Sequence, residues 1–275
     1  MNQGILYIIL ASVFFSIING LVKYFNTIPA IEIVFFRSLI SLVITYYSIR
    51  KLKIKIFNEH TPLLIGRGLS GAIALSLYFY TIQNMPLATA VTILYLAPIF
   101  TVLIAMVLVK EYPKKLQWPF IILAFIGTVL MKNIDTRVQT DHFFLGITAA
   151  FFAGLAYNFI RLLKDKAHHS LVIFYFPLIT IPITLPFLYE HWVPPTPSEF
   201  LGLLLIGLFT QLAQVFMTKA YMLEKASKIS HFNYLTSFFA FLTGIIFFNE
   251  HLNTLSLLGL LLVFIGIVFS TRFSR

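Results

Sequence analysis

Ten stretches of this chain are continuously apolar over about the 17–25 residues that a helix needs to cross the hydrocarbon core of a bilayer. They run over 4–25, 30–49, 62–83, 86–109, 116–132, 143–163, 171–189, 200–222, 227–248 and 254–271. The runs do not alternate polar with apolar residues, which excludes the strands of a membrane barrel. Of the 275 residues, 59% are hydrophobic and 11% charged, too little charge to cover a soluble domain of this size. The expected class is an all-α integral membrane protein with ten transmembrane helices, in contact with the lipid bilayer.

The net charge of +10 would suggest nucleic acid in a soluble protein. Here the basic residues lie between the apolar runs, where they set topology, and no nucleic-acid partner is expected. With both ends in the cytoplasm, the inner segments hold Arg50, Lys51, Lys53, Lys55, Lys110, Lys114, Lys115, Arg161, Lys164, Lys166, Lys225, Lys228, Arg272 and Arg275. The outer segments hold only Lys23, Lys132 and Arg137. That asymmetry predicts a multi-pass protein of the cytoplasmic (inner) membrane with both termini inside. The start, Met1-Asn2-Gln3, has neither a basic n-region nor a cleavage site, so the first run is expected to remain as a span. Cysteine is absent, which excludes disulfides, thiolate metal sites and thiol nucleophiles.

Two stretches share one outline: "TAVTILYLAPIFTVLIAMVLVKE", ending at Glu111, and "KISHFNYLTSFFAFLTGIIFFNE", ending at Glu250. Their offset is Glu250 minus Glu111, or 139, and the same offset takes Tyr95 to Tyr234. It also pairs Phe125-Ile126-Gly127 with Phe264-Ile265-Gly266, Gly68 with Gly207, Asn19 with Asn158 and Ala11 with Ala150. The chain therefore divides into two five-helix repeats, 1–135 and 140–275. Five is odd, so the second copy enters the membrane from the opposite side, in the inverted-repeat arrangement common among secondary transporters.

The stretches "IEIVFFRSLISLV", "GRGLSGAIALSLYFYTIQNMPLATAVTILYLAPIFTVLIAMVLVKE" and "FIGTVLM", with "KAYMLEKASKISHFNYLTSFFAFLTGIIFFNE" and "LGLLLVFIGIVF" in the second half, resemble the drug/metabolite transporter superfamily, EamA-like branch. The resemblance covers essentially the whole chain. It implies ten helices, export or exchange of small metabolites by alternating access, and no nucleotide hydrolysis. "EIVFFR" and "RGL" are most similar to members handling amino acids or S-adenosylmethionine. The second half departs from the pattern in having Ser237 where Pro98 would recur.

Helical spacing sorts the polar residues into faces. Ser12, Ser16, Asn19 and Lys23 share one face of the first span; Gln211, Gln214 and Thr218 share one of the eighth; Ser230, Asn233, Tyr234 and Ser237 share one of the ninth. Small polar residues also pack helices together, but several such stripes converging on one cavity point to a substrate path. Arg37, Arg67 and Lys219 lie within spans, where charge is costly and faces a cavity or a partner. Arg37 sits roughly 10 Å deep at 1.5 Å per residue, whereas Arg67 and Lys219 lie nearer the cytoplasmic side and are able to snorkel. An excess of cavity cations over acids favours a substrate with a carboxylate or phosphate. Tyr78, Tyr80, Tyr95, Tyr157 and Tyr234 offer rings with a polar edge. The expected substrate-binding set is Ser16, Asn19, Arg37, Tyr78, Tyr95, Asn158, Gln211, Gln214, Lys219, Asn233, Tyr234 and Ser237, acting on a small molecule in a monomer or homodimer.

No Gly-x-x-x-x-Gly-Lys-Ser/Thr loop is present, so ATP-driven transport is not expected. The rival reading is a membrane enzyme acting on a lipid or headgroup, which would need carboxylates or histidines clustered at a membrane face. His168 and His169 with Asp165 have ligand-like spacing, but beside Lys164 and Lys166 they read as a solvated turn, and neither metal nor cofactor is expected. Glu111 and Glu250 fall at helix ends and mid-span acids are missing, so exchange or facilitated passage fits as well as proton antiport.

Reporter fusions check the topology. A phosphatase that works only outside the cytoplasm is expected to be active in the loop 133–142 and inactive after residue 55. The reverse result removes the inverted repeat along with the orientation.

Overall fold

Peptide groups in hydrocarbon have no water to bond, so a spanning segment must close its hydrogen bonds along its own helix. The computed structural model describes residues 3–94, 96–108, 110, 112, 114–134, 138–223, 234–249 and 254–273, and among them all regular structure is helical. In chain order the α-helices are α1 (Gln3–Tyr24), α2 (Ala30–Lys51), α3 (Thr61–Asn84), α4 (Leu87–Leu94), α5 (Ala97–Leu108), α6 (Trp118–Ile134), α7 (Thr140–Leu162), α8 (His169–His191), α9 (Pro197–Leu223), α10 (Tyr234–Phe248) and α11 (Thr254–Arg272). Each falls on one of the apolar runs. Among the described residues, seven stretches are long and apolar enough to cross a membrane: α1, α2, α3, α4 continued by α5, α7, α8 and α9.

The fourth run, expected as one span over 86–109, is two helices. Pro98 has no N–H to donate to the carbonyl of Leu94, four residues back, and α4 stops at that residue. Leu96 N–H turns back to Ile93 O at 3.0 Å, and Pro98 then sits in the first turn of α5, where a missing N–H does no harm. Its offset partner Ser237 can donate, and α10 runs unbroken through it. α8 is continuous despite Pro177, Pro182 and Pro186.

The helices pack in pairs: α1 against α9, α3 against α7, α2 against α8 and α6 against α11, with α5 on α7 and α10 on α1. Close approach is carried by small residues. Ala11, Ala149, Ala150, Ala213 and Ala220 have no exposed surface. A Cβ on Gly127 would stand 2.6 Å from the carbonyl oxygen of Gly259 and 2.8 Å from the amide of Val263, so α6 and α11 touch backbone to backbone there. On the outside, Val43, Ile246 and Phe247 are exposed, a surface suited to lipid rather than water.

Gly127→Leu is expected to destabilise the protein by about 1–3 kcal/mol, the usual effect of forcing methylenes into a closed interface. Phe125→Leu, on the exposed side of the same helix, should leave the melting temperature within a degree or so. Equal melting curves for the two variants would mean that the α6–α11 contact contributes little.

Candidate functional site

Many buried hydroxyls in the bundle are engaged with their own helix. Ser12 Oγ donates to Ile8 O at 2.9 Å, Thr45 Oγ1 to Ser41 O at 2.6 Å, Ser70 Oγ to Gly66 O at 2.6 Å and Thr92 Oγ1 to Ala88 O at 2.7 Å. Such back-bonding satisfies a polar group in an apolar interior and leaves nothing for a ligand. The hydroxyls of Ser38, Thr89, Thr210 and Thr218 have no partner, and two guanidiniums also keep donors free.

Arg37 of α2 and Arg67 of α3 are 1% and 4% exposed. Their Cζ atoms lie 5.2 and 5.3 Å from the centroid of the Phe176 ring in α8, and that of Arg37 is also 5.7 Å from the Phe79 ring. Ring faces attract cations at this range but do not replace the hydrogen bonds of lost water. Nε and Nη2 of Arg37, and Nε and Nη1 of Arg67, have no hydrogen-bond partner. Among the described residues no carboxylate pairs with either arginine. Glu32, the nearest acid to Arg37 in sequence, instead accepts from the backbone N–H of Val193 at 3.1 Å and pins the α8–α9 connection to the start of α2.

Both arginines face a half-open cavity of about 150 Å³ lined by α1–α5 and α7–α10. A cavity of about this size accommodates a benzene-sized molecule or several waters. Asn19, Tyr78, Tyr157, Thr210, Gln214 and Thr236 supply its other polar groups, and Phe15, Leu75, Val91 and Met217 part of its apolar wall. Thr210 Oγ1 has no hydrogen-bond partner. Leu94, Ala97 and Pro98 also line it, so the break between α4 and α5 lies at the cavity, where irregular backbone in a membrane protein is tolerated.

Of the residues singled out in the sequence, Asn19, Arg37, Arg67, Tyr78, Tyr157 and Gln214 are brought together on this wall. Ser16 is buried on the same face of α1 but is not among the lining residues. Asn158 Nδ2 donates to Thr101 O at 3.0 Å and Gly154 O at 2.9 Å, tying α7 to α5. Gln211 Oε1 accepts from Ser41 Oγ at 2.5 Å, tying α9 to α2. Lys219 lies away from the wall, its Nζ 5.8 Å from the Tyr7 ring centroid. Tyr95 and Asn233 lie outside the described residues, as do the side chains of Tyr234 and Ser237 within α10. Arg67, Phe176 and Thr210 were absent from the expected set. The available signals were the charge of Arg67 inside an apolar run and the 139-residue offset, which takes Arg37 to Phe176. No group of three or more metal-ligating side chains occurs among the described residues, and the His168 and His169 rings lie 4.1 Å apart with no acid gathered beside them.

Residues 2–132 and 142–272 each match the EamA-like transporter family. The chain is 31% identical over 275 residues to the pseudopaline exporter of Pseudomonas aeruginosa, with 99% of this chain and 97% of that protein covered. It is 25% identical over 255 residues to the S-adenosylmethionine uptake transporter of Rickettsia prowazekii, covering 90% of this chain and 85% of that one. A crystal structure 15% identical in sequence superposes with a TM-score of 0.71 over 99% of this chain and 97% of its own, which shows a shared fold.

Asn158→Ala removes the α7–α5 bond and is expected to destabilise the protein by about 1–2 kcal/mol. Cavity ligands should still raise its melting temperature as they do for the parent protein. Loss of that ligand response with an unchanged baseline would move Asn158 to the substrate side.

Proposed function

The chain belongs to the EamA-like transporter family of the drug/metabolite transporter superfamily, and on that premise we propose that it is a secondary carrier moving a small, carboxylate-bearing metabolite by alternating access, as exporter or exchanger. Its family and relatives are transporters, so it is a transporter and not an enzyme. The observation that carries the substrate reading is the pair of buried guanidiniums, with donors unpartnered, on the wall of a central cavity. A charge so placed is costly unless it meets water or an anion. Arg37, Asn19, Tyr78 and Gln214 are the proposed contacts, with Arg67 added to them.

The proposed architecture is ten spans in two inverted repeats, 1–135 and 140–275, with both termini cytoplasmic. Three observations support it. Adding 139 to α1, α2 and α3 gives 142–163, 169–190 and 200–223, which fall on α7, α8 and α9. The packing is closed under that exchange: α1 on α9 becomes α7 on α3, while α2 on α8 and α6 on α11 return themselves. The cavity wall contains both members of the pairs Ile18/Tyr157, Arg37/Phe176, Gly71/Thr210, Leu75/Gln214, Tyr78/Met217 and Ala97/Thr236. A residue that touches its own counterpart lies at a two-fold axis, and Arg37 stacks on Phe176. A site at such an axis is equally placed for both halves, so rocking one half against the other exposes it to each side in turn.

The relatives include an exporter and an uptake transporter, and direction is therefore left to the assay. Purified protein in proteoliposomes should accumulate labelled substrate from a panel of amino acids and S-adenosylmethionine. Arg37→Gln should lower the initial rate by about tenfold or more, and Lys55→Gln, on an exposed loop, should not. A folded Arg37→Gln protein with parental uptake removes the carboxylate contact.

A further inference from the structure

The cavity holds one more cation than a single carboxylate can neutralise. Arg37 and Arg67 approach the same ring at 5.2 and 5.3 Å, so their charges lie at most about twice that distance apart. Each is almost wholly buried, each keeps two nitrogens without a hydrogen-bond partner, and no described acid answers either of them. One carboxylate bound here would leave a net positive charge lying among Phe15, Leu75, Phe79 and Met217, an uncompensated buried charge of the kind proteins avoid.

We propose that Arg37 and Arg67 form a single bipartite site, bridged by Phe176, for a substrate group bearing two negative charges: two carboxylates a short chain apart, or one phosphate. The proposal rests on the carrier reading above and narrows its substrate class. The planar guanidiniums present their donors in forks suited to carboxylate or phosphate oxygens. The Asn19 and Gln214 amides and the Thr210 hydroxyl, on the same wall, serve the rest of the molecule with neutral hydrogen bonds. The space of about 150 Å³ suits a compact dianion. In the absence of ligand the two like charges repel across one ring, so neutralising either should relieve strain in the empty protein.

The test is thermal melting of the purified full chain with succinate, butyrate or inorganic phosphate, at matched ionic strength. Succinate or phosphate should raise the melting temperature with a half-saturating concentration about tenfold or more below that of butyrate. Preference for succinate assigns two carboxylates, and preference for phosphate assigns one phosphate group. Arg37→Gln and Arg67→Gln should each melt, without ligand, at or above the parental temperature, and each should bring dianion and butyrate to within about threefold of one another. Butyrate binding as tightly as both dianions overturns the proposal and leaves the carrier intact, as does a response to none of the three alongside uptake of another metabolite. A ligand-free melting temperature lowered in both variants, or failure of both to fold, also overturns it, because it marks the guanidiniums as structural. A dianion preference that survives Arg67→Gln excludes Arg67 and overturns the shared site.

Discussion

In hydrocarbon each peptide N–H and C=O must be bonded within its own segment, and the architecture of this protein follows from that single requirement. It makes every regular element a helix, and it sends buried serine and threonine hydroxyls back to carbonyls one turn earlier. Departures from the rule are therefore informative. One is the interruption ahead of Pro98, where α4 gives way to α5. Another is the set of arginine nitrogens left without partners. Both occur at the same cavity, although the hydroxyls of Ser38, Thr89 and Thr218, away from its wall, are also without partners.

The two halves contribute unlike chemistry to that place. The first supplies both cations, together with Asn19 and Tyr78, and the second supplies Tyr157, Phe176, Thr210, Gln214 and Thr236. Among the described residues the second half gives no charge to the wall; it gives a ring on which both cations rest and neutral groups able to donate or accept. Glu32 is not on the wall; its Oε2 accepts from Val193 in the α8–α9 connection, at the start of α2.

The helices were legible because runs of apolar side chains of membrane-crossing length admit no other structure. The break at Pro98 was less so: three prolines leave α8 continuous, and sequence alone does not tell which proline finds a neighbour that tolerates it. Polar stripes located the inner faces of α1 and α9 correctly, for Ser12, Ser16, Asn19, Gln211, Gln214 and Thr218 are all buried. They could not separate residues that meet protein from residues that meet space. Asn19 and Gln214 reach the cavity, while Gln211, one turn from Gln214, is engaged by Ser41 of a neighbouring helix. Arg67 was read as near enough to the cytoplasm to snorkel, because depth counted along one helix ignores the helices around it; it is 4% exposed. Phe176 carried no polar signal at all, and its importance depends on what stacks on it.

The stacking of Arg37 on Phe176 has a genetic consequence. In the inverted repeat proposed above, the 139-residue correspondence puts the two at the same place in the two halves, at the axis that would relate them. In a pair of identical five-helix chains, a residue at that place would always face its own copy, arginine against arginine or phenylalanine against phenylalanine. The first choice sets like charges in contact and the second offers no charge at all. Joining both copies in one reading frame lifts that restriction, because each copy can then mutate alone. A cation resting on an aromatic ring at the centre of a two-fold arrangement is available to a fused gene and closed to a homodimer.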